Sequence, residues 1–173
     1  MAIIAILQYP DKRLAKKAKT VENVKDPQLQ KTIDDMFETL YNTPNCAGLA
    51  ATQLDIKDPY RITVIDVSID KMEPLCLINP EIIAREGENT QWEGCMSVYP
   101  DEIHGQVSRA AQVTARALNR KGEVIEITAE GLLAKCIQHE IDHLNGKLYI
   151  EHLSPLKRQL IDKKVAKMLR HHD

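Results

Sequence analysis

A chain of 173 residues is long enough to bury a core of its own and short enough to form one domain. Hydrophobic residues at 43% and charged ones at 28% give an ordinary globular composition, which excludes a disordered or low-complexity protein. With 23 basic and 25 acidic side chains the net charge is −2, which argues against a general nucleic-acid or specific DNA binder, and no apolar run approaches the ~20 residues that span a bilayer.

The apolar start "AIIAIL", residues 2–7, is too short for a signal-peptide core and lacks a basic flank, so a cytoplasmic location is expected. "DPQLQKTIDDMFETLYN" places Leu29, Ile33, Met36, Phe37, Leu40 and Tyr41 on one helical stripe, with Asp26 as N-cap and Pro27 at the first helical position. "RITVIDVS" from Arg61 and "PLCLINPEII" from Pro74 read as strands. "QVTARAL" and "EVIEITA" flank the turn Asn119 to Gly122 and predict a hairpin. A helix begins near Thr128 to Gly131. A last helix starts at Ser154-Pro155, with an apolar stripe of Leu156, Leu160, Ile161, Val165, Met168 and Leu169. This order predicts a single α+β domain over residues 1–173, with mixed or antiparallel strands packed around a central helix, and a C-terminal helix.

The central helix carries "QHEIDHLNG", Gln138 to Gly146. His139 and His143 differ by about 40° around the helix axis, so both imidazoles can reach one metal ion. Glu140 lies at the edge of the same face, where it can touch a water that the metal acidifies. Two solvated histidines on a surface helix are the plain alternative. Leu132, Leu133, Ile137, Ile141 and Leu144 oppose it, because they mark the helix as largely buried and buried imidazoles need partners.

The third ligand decides the enzyme class. One group of zinc peptidases continues the motif with Gly-x-x-His, and Tyr149 stands here where that histidine should be. A thermolysin-like glutamate is missing as well, since Glu151 lies only eight residues past His143. Cys136 is about 10 Å along the axis from His143 and reads as packing. Cys46 and Cys76 take the same small-hydrophobe default, since a cytoplasmic chain keeps its thiols reduced. Cys95, in "EGCMS", is the best candidate, because it follows a glycine at a strand end or loop that leaves its side chain free to project.

"EGCMS" and "QHEIDH" resemble two signature motifs of peptide deformylases, and "CAGLAATQ", Cys46 to Gln53, resembles the third, in the family's order. The likeness extends over nearly the whole chain. It implies one divalent metal, preferentially Fe²⁺ with Zn²⁺, Ni²⁺ or Co²⁺ able to substitute, held by Cys95, His139 and His143. It implies Glu140 as general base, Gln53 and the Met96 backbone N–H as oxyanion donors, and Gly48 and Leu49 as the place where an N-formylmethionyl peptide adds as a strand. It further implies release of formate, and ribosome contact through the last helix, whose Lys157, Arg158, Lys163, Lys164, Lys167 and Arg170 are otherwise a solvated face.

The sequence departs from the family pattern in four places. Cys46 stands where a glycine is usual and would be strained if that position needs φ > 0. Ala47 replaces a larger apolar residue, Lys135 an apolar one, and in "VYPDEIHGQV" His104 is the candidate for a usual arginine. Two other functions compete: another metallopeptidase, and a non-catalytic relative that binds formylated peptides or metal. Retained Glu140 argues against the second, since binding needs no general base.

Overall fold

The computed structural model describes residues 2–171, so the outermost positions of the expected 1–173 domain lie outside the described residues. The first long helix is α1 (Pro27–Asn42). Its residues Leu29, Ile33, Met36 and Leu40 recur at helical spacing and are all buried. Fully burying a side chain the size of Ile33 or Met36 stabilises the fold by about 1.5–3 kcal/mol. Of the expected stripe, Phe37 is only partly buried and Tyr41 is exposed, its hydroxyl donating to Asp66 at 2.8 Å. Pro27 does open the helix, but the Asp26 side chain makes no capping bond; its carbonyl accepts from the Gln30 N–H instead.

Seven strands follow or interleave: β1 (Gly48–Ala50), β2 (Ile62–Ile65), β3 (Leu75–Glu86), β4 (Asn89–Glu93), β5 (Gly105–Arg109), β6 (Gln112–Leu118) and β7 (Val124–Glu130). Five form an antiparallel sheet in the order β1-β2-β3-β6-β7, and β4 pairs with β5 in a separate ribbon. The expected hairpin is β6–β7, closed by Leu118 opposite Val124, with the Asn119 side chain accepting the Lys121 and Glu123 N–H groups. The strand read from Arg61 is shorter than expected and that read from Pro74 is longer. Sequence reading did not foresee β1, β4 or β5, which are short or rich in polar residues.

Two helices sandwich the sheet. Ile62, Val64 and Ile78 turn towards α1, whereas Ile65, Leu77, Val113, Ala115 and Ala129 turn towards α2 (Gly131–Leu144), where Ala134, Ile137 and Ile141 meet them. Strand β2 is therefore buried on both faces, as the period-2 alternation of side chains requires between two covering layers. A third cluster joins Leu7, Leu14, Val98, Ile103, Leu148, Tyr149 and Val165 and holds the segment after β4 against the end of α2. The last helix, α3 (Pro155–His171), buries only Val165 fully. Ile161 packs beside it, while Leu156, Leu160 and Leu169 are exposed, so the expected six-residue stripe is a narrower seam.

Helix α2 ends at Leu144, one residue after His143. Gly146 N–H bonds the His143 carbonyl and Lys147 N–H bonds the Asp142 carbonyl, the paired bonds of a left-handed glycine stop. Gly146 has φ +77°, and a Cβ there would lie 2.3 Å from the Ala15 carbonyl oxygen. Gly146→Ala should therefore lose at least about 1–3 kcal/mol of stability, read as a fall in the midpoint of denaturant unfolding.

Candidate metal centre

Three donor atoms from two segments converge. Helix α2 presents His139 and His143, and the loop after β4 presents Cys95; their ligand atoms all lie within 4.8 Å of one another. Cys95 Sγ is 3.3 Å from His143 Nε2, which in turn is 3.2 Å from His139 Nε2. The rings meet edge to face, with centroids 4.8 Å apart. Two ring nitrogens and a sulfur facing one another satisfy each other only in part, whereas a divalent cation satisfies all three. The donor set therefore fits the metal that the sequence motif implies.

The other ring nitrogen of His139, Nδ1, lies 3.0 Å from Glu93 Oε1, which orients the ring and leaves Nε2 for the centre. Glu93 is buried and is clamped by Arg109, through Nε at 2.6 Å and Nη2 at 3.0 Å. Arg109 also reaches Asp142 on α2 at 3.0 Å, and Asp142 accepts from His152 at 2.8 Å. Gln138 ties the same helix to the β5–β6 connection through both the N–H and the carbonyl of Ala110. Tyr149 is fully buried and stacks on His139 with centroids 6.1 Å apart. Its place in the sequence is thus filled by a packing residue rather than a ligand. Glu151 caps the turn after Leu148 and is no ligand either.

The charge pattern suits a cation. Burial alone would push His139 down, yet its bonds to Cys95 and Glu93 raise it to about 10, so these neighbours draw positive charge to this ring. Burial, helped by His139 and Arg109, holds His143 well below the usual range, as a neutral ligand requires. Burial also pushes Glu140 up to about 7, opposed by His139. Glu140 Oε2 is buried and without a hydrogen-bond partner.

Beside the donors lies a cavity of about 210 Å³, whose lining includes Cys46, Ala47, Gly48, Gln53, Met96, Leu132, Lys135, Cys136 and Glu140. Strand β1 passes so close above α2 that a Cβ on Gly48 would meet Cys136 Sγ at 2.9 Å and Glu140 Cγ at 3.2 Å. Leu49 turns its side chain wholly into the core, so only its backbone can reach a ligand. Gln53, which taken by itself reads as a surface residue, is buried. Its Oε1 accepts from the Ala50 N–H at 2.9 Å, which points Nε2 towards Ser97 Oγ (3.1 Å) and Cys95 Sγ (3.5 Å). The positive φ that would strain Cys46 falls instead on Asn45, at +58°. His104 is exposed and lies against Gly94 at the edge of the Cys95 loop.

The family model described as polypeptide deformylase matches residues 3–159. The chain belongs to that family. It is 55% identical over 165 residues to peptide deformylase 1 of Coxiella burnetii, covering 95% of this chain and 96% of that one. A crystal structure of a peptide deformylase from Legionella pneumophila superposes with a TM-score of 0.89 at 48% identity, over 99% of this chain and 98% of the other. The peptide deformylase from Ehrlichia chaffeensis, solved in complex with actinonin, gives 0.88 at 36% identity over 97% and 98%.

Within this deformylase fold, sequence reading brought the three proposed ligands, Glu140 and Gln53 to one place but gave Glu93, Arg109, Asp142 and Gln138 no role. Glu93 and Asp142 lie inside the quoted motifs as charges in otherwise buried surroundings, which is a legible signal. Arg109 carries none, because only the β4–β5 pairing sets it opposite Asn89 and on the same side as Glu93.

Glu93→Gln should lower metal affinity about 10- to 100-fold, measured by competition with a chelator. The same residue sets an acid limit. Burial would raise its pKa, but His139 and Arg109 lower it from 4.5 to about 2. Its contribution to stability is thus complete above the unfolded value and is lost as the pH falls through the interval down to about 2. Between pH 5 and 3 the metal-free Glu93→Gln variant should lose less unfolding free energy than the parent chain.

Proposed function

We propose that the chain hydrolyses the N-formyl group of N-formylmethionyl peptides, breaking the formyl C–N bond and releasing formate and a free amine. The observation that carries this reading is the convergence of Cys95, His139 and His143 beside the unpartnered carboxylate oxygen of Glu140, in a chain of the deformylase family. A divalent metal held by those three residues supplies Lewis acidity, which activates water at neutral pH and polarises a carbonyl. Glu140 accepts the proton of the attacking water and later returns it to the leaving amine. Its burial favours this part, because a carboxyl titrating near neutrality can both take and give a proton.

Gln53 Nε2 and the Met96 N–H donate to the oxygen that becomes negative during attack. The bond from Ala50 to Gln53 Oε1 supports this, since it fixes the amide with Nε2 towards Cys95. Gly48 and Leu49 accept the substrate backbone as an added strand. In support, β1 pairs among the described residues with β2 alone and is an edge of the five-stranded sheet, next to the cavity. Ala47 beside Cys46 widens the end of the cavity that takes the methionine side chain.

Residues 1–173 form one catalytic unit in this reading, acting in the cytoplasm. No described helix is long and apolar enough to cross a membrane. Ferrous iron is the metal proposed, with zinc, nickel or cobalt as substitutes, because thiolate and imidazole ligands accept all four. The exposed basic side chains of α3 are proposed to contact the ribosome, where they would meet RNA phosphates.

The test is formate release from formyl-Met-Ala-Ser by anaerobically prepared, metal-loaded protein. Release should stop on chelation. Glu140→Gln should cut kcat about 10²- to 10⁴-fold with the metal content unchanged. Full turnover by that variant would exclude Glu140 as the base, and hydrolysis of the unformylated peptide would favour a peptidase instead.

A further inference from the structure

Lys135 lies on α2 one turn before His139 and lines the cavity shared by Glu140 and the converging donors. Its Nζ donates to the carbonyl oxygen of Trp92 at 3.3 Å. Among the described residues it enters no ion pair. The two acids of the cavity are otherwise engaged or removed: Glu93 is bound by Arg109 and His139, and Glu140 is buried under Gly48. An ammonium held in an exposed contact on a neutral carbonyl, at the rim of a concave site, is a cation whose best partner is supplied from outside.

The substrate's geometry decides where that partner stands. A peptide added along β1 alternates its side chains, with a rise of roughly 3.3–3.4 Å per residue. If the first side chain enters the cavity, the second points away. The third returns to the cavity side, roughly 7 Å further along. Lys135 lines that side of the cavity, and its ammonium is carried outwards to the exposed contact with the Trp92 carbonyl. We propose that Lys135 selects among formylated chains by pairing with an acidic side chain at their third residue. The proposal rests on the deformylase reading of the site and adds a preference to it.

The experiment compares kcat/KM for three C-terminally amidated peptides, formyl-Met-Ala-Asp, formyl-Met-Ala-Ala and formyl-Met-Ala-Lys. Amidation removes the terminal carboxylate that would otherwise compete for the lysine. The metal-loaded parent chain should prefer Asp over Ala by about two- to fivefold and disfavour Lys. High salt should flatten the series, since a partly exposed pair is screened. Lys135→Glu should reverse the order and Lys135→Met abolish it. Both effects are read as ratios within each variant, so a general loss of rate does not enter.

Fluorescence of Trp92, the chain's one tryptophan, gives peptide binding without turnover and should rank the peptides alike. Equal values for all three peptides in the parent chain, or an unchanged order in Lys135→Glu, would overturn the proposal while formate release continued. Ranked binding with no formate release would keep the Lys135 contact and discard hydrolysis.

Discussion

The contact between Glu93 and His139, with Arg109 closing over the carboxylate, is the constraint on which the rest of the centre depends. A buried carboxylate is costly unless it is paired and hydrogen-bonded. Here one carboxylate orients a ligand ring through one oxygen and binds a guanidinium through both. The same guanidinium reaches Asp142 on α2, so the β4–β5 ribbon and the helix are locked in register by charge. Cys95 lies two residues past Glu93. Once Glu93 is fixed, the loop carrying the thiol has little freedom, and Sγ is delivered to the histidines.

That lock answers a problem set by burial. Helix α2 has to be apolar to fill the space under the sheet, yet it carries two imidazoles, two carboxylates and an amide among its buried or half-buried residues. Each is accounted for in a different way. Gln138 is satisfied by the backbone of Ala110, Asp142 by Arg109 and His152, and His139 by Glu93. What remains unsatisfied is His143 Nδ1 and Glu140 Oε2. Buried polar groups are normally paired, and the exception on the cavity wall, Glu140, is the group to which the proposed reading assigns the attacking water.

The substrate side of the site depends on close approach. Strand β1 runs directly over Glu140 and Cys136 at a position where only a residue without Cβ fits without displacement. Being three residues long and at the sheet edge, it brings the backbone of Gly48 to the cavity wall. Cys46, Ala47 and Lys135 then shape the walls. In the proposed reading they leave the reacting groups intact and bear on preference rather than on chemistry.

Much of this was legible in the sequence. The spacing of His139, Glu140 and His143 follows from helix geometry alone, and the alternating β6–β7 hairpin with its Asn119–Gly122 turn follows from local pattern. Cys95 was the candidate left once the other donors were set aside, whereas "CAGLAATQ" pointed to Gln53 only through its company with the other motifs, since a lone glutamine carries no spacing signal. Strands β1, β4 and β5 were illegible because short or polar strands are set by their neighbours rather than by their own residues. The narrowing of the α3 seam to Ile161 and Val165 was hidden for the same reason, as periodicity marks an apolar face and not what covers it. The sequence by itself determined the elements whose residues interact within a turn or a hairpin, together with the identity of the metal-binding helix. Tertiary structure alone decided that Glu93 and Arg109 brace His139, that Gln53 is buried with its amide turned inward, and that Lys135 reaches the Trp92 carbonyl at the cavity rim. Those contacts join residues 16 to 46 positions apart, and no local pattern encodes distances that only the folded layers close.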